Sequence, residues 1–366
     1  LLAQALSGMP CLRSRFPIIN TVQSIVEANV AQTLTEQQSL SMTADNAAFA
    51  KKLSNPVPLT VQRSVALIAM ENATLLGSTG AVFDEDRGTL MRSRGGSPIV
   101  TPNDVRLVAT KRVHKPPGNY FNMLEYHRGH RHYYHFIFDR LPKLYYLLNH
   151  FDVGREPIVV LTNTDLPGFQ RDTYEFIARQ FSNVRFEAVP TNERWNVDCL
   201  YYVDNFQSVP RTLASTSYLA FIRSLVVNGY GLGAPHRTRR LYVSRSDAKL
   251  RRISNECDLL PILARRGFEV VLPGRLSFRD QIALFMSAEV VIGPHGAGLT
   301  NGLFACNRSR VLELFPANHL REHYFLLTIA MGQSYRALIG GVGDRNECFA
   351  VNAAELEGAL DECLAS

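Results

Sequence analysis

The sequence predicts an α/β protein of two domains, with the strands of a mostly parallel sheet alternating with covering helices. Three observations carry that reading. From Pro157 onward, short apolar runs alternate with amphipathic helical stretches. The run Val290-Val-Ile stops abruptly at Gly293-Pro294 and gives way to His295, two more glycines and a helix start. Such a strand, tight turn and helix start are the parts from which α/β proteins build anion sites. The length, 366 residues, suits two cores of ordinary size.

In chain order, residues 1–55 carry a helical pattern (Ile25, Val26, Val30, Leu34) that ends near Pro56, and an N-terminal helical extension is expected there. Ser64 to Met91 is β-like, with turns at Gly77 and Gly80. Within it, Asp84-Glu85-Asp86 has the Asp-x-Asp form with which metal-dependent sugar transferases hold a cation, though Arg87-Gly88 behind it reads as a solvated hairpin tip. From Arg131, residues Tyr134, Ile137, Phe138, Leu141, Leu144, Tyr145 and Leu148 make one apolar helix face. His132, His135, Asp139 and Lys143 line up opposite, and Pro142 implies a kink near Asp139. A strand from Pro157, a helix from Gly168 to Phe181, strands from Val184 and Cys199, and a helix from Arg211 to Tyr230 follow.

Gly231-Leu-Gly-Ala-Pro-His-Arg reads as a linker, so the domains are expected at 56–232 and 233–366. The second domain opens with a strand from Arg240, a basic loop from Arg245 to Arg252, and a helix capped by Asn255. A strand from Phe268, a helix from Ser277 to Ala288, the strand from Glu289, a short helix from Leu299 to Phe304 and a strand from Arg310 complete it. This is an open nucleotide-binding pattern, in which ligands lie beyond the carboxyl ends of the strands.

Composition narrows the partners. The net charge is +6, spread along the chain without a long basic tract, and no nucleic-acid module is present, so no nucleic-acid partner is expected. Six scattered cysteines read as reduced, buried thiols. No apolar run approaches a membrane span. The chain opens on Leu1 instead of Met, with the expectation that an upstream signal, anchor or domain precedes it. Sequons at Asn72 and Asn307 matter only in a secretory pathway.

Two stretches carry chemistry. His127, His130, His132 and His135 raise a zinc reading, but no His-Glu-x-x-His is present and no three ligands are seen to converge. The same face is open to a solvated basic reading, or to an active-site reading with Asp139 or His135 as proton acceptor. In the second domain, Ser244 and Arg245 follow one strand, the turn of Pro294 to Gly298 follows another, and Glu313 lies near the end of a third. Val311, Glu313 and Phe315 share one side of that strand, so Glu313 is a carboxylate in an apolar run that needs partners. Arginine forks and a helix start suit a diphosphate, and a carboxylate suits a ribose diol. Gly-x-Gly-x-x-Gly and the P-loop signature are both missing, which favours a nucleoside diphosphate over a dinucleotide. Taken singly, each feature has a plain structural reading: surface arginines, a turn histidine, a strand carboxylate with a local salt bridge.

Gly293-Pro-His-Gly-Ala-Gly-Leu-Thr-Asn, followed by Val311-Leu-Glu-Leu-Phe-Pro, resembles the signature of glycosyltransferase family 61. That family includes plant xylosyl- and arabinosyltransferases, animal O-linked N-acetylglucosaminyltransferases and bacterial capsular polysaccharide proteins. Leu241-Tyr-Val-Ser-Arg with Arg252 to Glu256, and His135-Phe-Ile-Phe-Asp, agree with it. The resemblance implies a GT-B fold, two Rossmann-like domains facing a cleft, and an inverting transfer from a UDP-sugar donor to a glycan or glycoconjugate acceptor with no essential metal or other cofactor. It makes 56–232 the acceptor side and 233–366 the donor side. It suggests Arg245 and Arg252 on the diphosphate, Glu313 on the ribose, and Ser244, Glu256, Pro294, His295, Gly296, Ala297, Gly298 and Asn301 around the donor. Asp139 is then the first choice of base and His135 the second. The competing expectations are a non-catalytic nucleotide-sugar or polysaccharide-binding subunit and a zinc-dependent hydrolase built on the 127–135 histidines. The expected location is cytoplasmic, peripheral to the inner membrane given the basic charge, with a Golgi lumen as the eukaryotic alternative.

Overall fold

Strands and helices change over where the apolar pattern changes period, and a computed structural model shows how they assemble. It describes residues 29–39, 49, 51, 60–77, 79–84, 89–91, 102–124, 131–205, 214–234 and 238–365. They fall in two compact units, one drawn from Leu1–Gln37 and Gln62–Ser208, the other from Gln38–Val61 and Val209–Ser366.

In the first unit the strands are β1 (Asn29–Ser39), β2 (Thr60–Leu76), β3 (Val82–Asp84), β4 (Thr89–Met91), β5 (Arg112–His114), β6 (Asn119–Asn122), β7 (Ile158–Thr162), β8 (Val184–Ala188) and β9 (Arg194–Asn205). Their order is β4-β3-β2-β9-β6-β7-β8, with β1 also on β2 and β5 also on β9. The part from β9 to β8 is parallel, whereas β2 runs antiparallel to both β3 and β9. The expected mostly parallel sheet is therefore a mixed one. Parallel neighbours need long crossovers, here the helices Leu141–His150 and Gly168–Gln180, while β2, β3 and β4 follow one another too closely for that. All five residues of β7 are buried, as expected of a strand covered on both faces.

The helical expectation for residues 1–55 does not hold at 29–39, which is strand β1, whereas Phe49 is helical. Val30 and Leu34 lie four apart, a spacing that one helix face and one strand face share. Leu34, Glu36 and Gln38 are half-buried and their neighbours exposed, the period of a strand.

In the second unit the strands are β10 (Arg239–Val243), β11 (Phe268–Val271), β12 (Ala288–Pro294), β13 (Arg310–Phe315) and β14 (Ser334–Ile339). All pair in parallel, in the order β11-β10-β12-β13-β14. This is the 2-1-3-4-5 order of one doubly wound fold, and its topological switch point lies between β10 and β12. One face carries Tyr242, Val290, Ile292, Leu312 and Leu314 against Leu259, Leu263, Leu356 and Leu360 of the helices Glu256–Arg265 and Ala353–Ala365. On the other face Phe315 and Tyr335 stack with Phe49 and Phe325, ring centroids 5.3 to 5.6 Å apart.

The helix Thr216–Gly229 starts at a Ser215 cap, which accepts from the Tyr218 N–H at 3.0 Å. It belongs to the second unit, where Arg223 donates to the carbonyls of Leu303 and Ala305. The compact division thus comes before this helix, whereas the glycine-rich linker expected from sequence comes after it. Asn255 does not cap its helix; its amide pairs both ways with the backbone of Val351. No helix among the described residues is long and apolar enough to cross a membrane.

Gly293 lies where β12 presses on β10. A Cβ there would sit 2.8 Å from the Val243 carbonyl oxygen and 3.0 Å from the Val243 Cβ. Backbone cannot swing aside as a side chain can, so Gly293→Ala is expected to destabilise the second unit by about 1–3 kcal/mol, the usual cost of overpacking. A calorimetric melt unchanged from the wild type contradicts this packing.

Candidate active site

The switch point gathers the basic residues. Val243 ends β10, and Ser244 turns the chain with its N–H on the Val271 carbonyl at 2.9 Å. The Ser244 hydroxyl donates to Glu256 at 2.8 Å, and Tyr242 donates to the same carboxylate oxygen at 2.7 Å. Ser244 and Glu256, expected at the donor, fasten the turn and spend their hydrogen bonds within the unit.

Arg245 leaves that turn and lies across Gly296. Its Nε and Nη2 donate to the Leu250 carbonyl at 3.1 and 3.0 Å, and a Cβ on Gly296 would fall 1.8 Å from Nη1. Glycine is required at 296 for this approach, because any side chain displaces the guanidinium. Arg251 follows with its Nε on the His295 carbonyl at 3.0 Å and its Nη1 on Glu347 at 2.9 Å. Burial, and then the charge of Arg251, pull the Arg245 pKa below its ordinary value, so two guanidiniums sit within reach of each other's field. Among the described residues no carboxylate pairs with Arg245. Arg252, the arginine singled out from sequence, is exposed, and among the described residues its backbone carbonyl alone is engaged, by the Phe349 N–H. Nothing in the spacing distinguishes Arg251 from Arg252; a left-handed turn at Arg251 (φ 57°) decides which one faces the loop.

His295 follows two residues after Gly293, on the sheet face that Glu313 shares. Its Nδ1 lies 2.5 Å from Glu313 Oε1, and Tyr335 donates to Glu313 Oε2 at 2.8 Å. Glu313 is fully buried, so it does not reach a ribose as expected from the resemblance; its partners are internal. Strand alternation put it on the face covered by Phe49 and Phe325, away from solvent. Burial raises the Glu313 pKa well above the carboxylate range, and burial together with Arg251, Arg245 and Arg321 lowers His295 to about 3. The neutral arrangement follows: Glu313 keeps its proton and donates to Nδ1, which leaves the hydrogen of the imidazole on Nε2.

Of the remaining glycine-turn residues, Pro294 closes β12 and Ala297 and Gly298 open the short helix Ala297–Leu303. A Cβ on Gly298 would meet Val243 Cγ1 at 2.9 Å, so close packing explains this glycine without a ligand. Asn301 is buried and donates to Gln281 at 2.9 Å. His319, on Glu347 at 2.8 Å, and Tyr335 belong to the site as well. They reach it from β14 and the loop after β13, and no local motif marks them.

The second stretch lies in the first unit. Pro142 has no N–H to continue the helical ladder, and the chain responds with a wide π turn, Phe136–Arg140, in which the Leu141 N–H reaches back to the Phe136 carbonyl. The expected break near Asp139 is this turn. His135 Nδ1 and Asp139 Oδ2 meet at 2.6 Å, both partly exposed, and the His132 ring lies 4.6 Å from that of His135. His127 and His130 lie outside the described residues, as do Glu85 and Asp86 of the acidic triplet. Among the described residues no group of three or more His, Cys, Asp or Glu is placed to hold a metal.

Residues 133–312 match the family model described as Glycosyltransferase 61, a span that takes in His135, Asp139, Arg245, Arg251 and the His295 turn. An EGF domain-specific O-linked N-acetylglucosamine transferase from Drosophila melanogaster is 39% identical over 82 residues, 22% of this chain and 16% of that protein. A beta-1,2-xylosyltransferase from Arabidopsis thaliana is 32% identical over 78 residues, 21% and 15% of the two chains. One from Oryza sativa subsp. japonica is 33% identical over 63 residues, 17% and 12%. The chain therefore spans about a sixth or less of the curated relatives it matches. The resemblance to glycosyltransferase family 61 holds, and the relatives named are glycosyltransferases.

The Glu313–His295 pair predicts a pH signature. Folded, the pair holds one proton across the working range. Unfolded, it holds two below 4.5, one from 4.5 to 6.5 and none above 6.5, the ordinary values of the two groups. The raised Glu313 pKa contributes stability that is lost as pH rises above 4.5, and the lowered His295 pKa contributes stability that is lost as pH falls below 6.5. Their sum is flat between the two and falls on either side, by up to about 1.4 kcal/mol per pH unit for one proton. Glu313→Gln removes the alkaline arm. The variant should gain on the wild type as pH rises above 6.5 in urea titrations, and parallel curves for the two proteins refute the neutral pair.

Proposed function

We propose that the chain is an inverting glycosyltransferase that moves a sugar from a UDP-sugar donor to a hydroxyl of a glycan or glycoconjugate, without an essential metal. One observation carries it. Arg245, on the Leu250 carbonyl, and Arg251, on the His295 carbonyl and Glu347, are two like charges brought together at the switch point, and no carboxylate makes an ion pair with Arg245 among the described residues. Like charges this close repel each other, and a diphosphate is the ligand that suits them. The Nε2–H of His295 adds a donor to that set. A GT-B arrangement of the two units about a cleft is part of the same proposal, as is a secretory-lumen location, which an insect and two plants among the relatives favour over the bacterial setting.

In the reaction, the acceptor oxygen bonds to the anomeric carbon as the bond from that carbon to the diphosphate breaks. The acceptor proton passes to a base, and UDP leaves with the charge that the arginines stabilise. The resemblance makes Asp139 the first choice of base and His135 the second. The 2.6 Å dyad favours the reverse: the Asp139 carboxylate fixes the proton of His135 on Nδ1, and Nε2 accepts from the acceptor hydroxyl.

UDP and UDP-sugars should raise the melting temperature with or without a chelator. No shift with any uridine nucleotide sinks the donor reading; a shift without UDP release from any acceptor leaves a binding subunit in its place. Arg245→Ala should cost about 10²-fold or more in turnover. His135→Ala should cost about 10²–10⁴-fold with UDP binding kept. If His135→Ala and Asp139→Asn both turn over normally with UDP bound, the base lies elsewhere.

A further inference from the structure

Two residues of the second unit hold backbone that glycine would adopt more easily. Arg251 (φ 57°) and Glu347 (φ 60°) are both left-handed, a conformation that long L side chains seldom take. They face each other. The Arg251 N–H donates to the Asn346 carbonyl at 3.0 Å, and its guanidinium pairs with Glu347 Oε2 at 2.9 Å. The other carboxylate oxygen, Oε1, is held by His319 Nδ1 at 2.8 Å. The loop that presents Glu347 is itself braced, because Asp344 Oδ1 accepts from the Asn346 and Cys348 N–H groups at 2.8 and 2.9 Å. At the far end of the chain of contacts, Arg251 Nε holds the His295 carbonyl.

We propose that Glu347 is a positioning residue of the anion site: anchored by His319, it fixes Arg251 against the His295 turn so that the guanidinium meets a diphosphate in one orientation. The proposal rests on the donor reading above. Strain in the backbone gives it direction. If these two positions served only to turn the chain, glycine would serve better, so the side chains are what the site uses. Two effects oppose each other here. Removing the Glu347 carboxylate makes the loop more positive and favours any anion, whereas losing the anchor frees Arg251 to other rotamers. A guanidinium fork binds phosphate well only when its plane is fixed, so positioning is the larger effect.

The test uses the full chain and two probes, inorganic pyrophosphate and UDP, in calorimetric titrations beside thermal melts. Glu347→Gly should melt no lower than the wild type, since it relieves the left-handed backbone, yet bind both probes about tenfold or more weakly, as for one misplaced hydrogen bond to a charged group. Glu347→Gln keeps an acceptor for Arg251 and should recover part of that loss. Binding by Glu347→Gly as tight as the wild type, or tighter, overturns the inference while the donor reading stands. Should the wild type bind neither probe, the donor reading falls, and hydrogen exchange of the segment Gly293–Gly298 decides the positioning role. Exchange there must quicken in Glu347→Gly; unchanged exchange overturns the inference by itself.

Discussion

The buried hydrogen bond between His295 and Glu313 is the constraint on which the second unit's site depends. It ties the residue after β12 to the middle of β13, and Tyr335 on β14 closes the set from the next strand. An isolated carboxylate in that position would cost several kcal/mol to bury. Here both oxygens have partners and the proton stays on, so the pair carries no net charge. The imidazole also stacks on Phe315, ring centroids 5.5 Å apart, with His323 and Tyr324 on other sides. A turn built on three strands in this way cannot shift without disturbing the sheet beneath it. That rigidity lets the His295 carbonyl serve as an anchor for Arg251.

Period and punctuation made most of the fold legible. The alternation of apolar runs and helical stretches from Pro157 to Phe315 corresponds to β7 through β13, and the kink foreseen at Pro142 is the π turn. Where two periods coincide, the sequence is ambiguous, as at Val30 and Leu34 in β1. The helix His323–Ala330 is apolar on nearly every side and gives no amphipathic signal, so neither it nor β14 behind it is marked in the sequence. The antiparallel β2 is also unmarked as such, because strand direction is a property of connections and not of the strand's own residues.

The candidate site was legible in part, for a different reason. Arg245, His295 and Gly296 come together because each follows the end of its strand, which sequence can show. Glu313 was placed on the right strand face, yet its partner could not be read, since a carboxylate that binds a diol and one that braces a histidine look alike in sequence. Arg251 and Arg252 differ only in the sign of a backbone angle. Glu347 and Tyr335 arrive from about 20 to 100 positions away and announce themselves by no spacing at all.

These differences shift where the chemistry of the unit resides. Glu313 and Glu256 are committed to internal hydrogen bonds, and Glu347 is held between Arg251 and His319, so these three carboxylates are all engaged within the unit. The His295 imidazole, held uncharged, adds direction but no charge, so the positive field comes from the arginine guanidiniums. An anion bound there would feel the same protein charge across the physiological range. Discrimination among anions must then come from geometry: the fixed plane of Arg245 on Gly296 and the braced fork of Arg251. A ligand with two linked phosphates can satisfy both forks at once, whereas a single phosphate must leave one of them unmet.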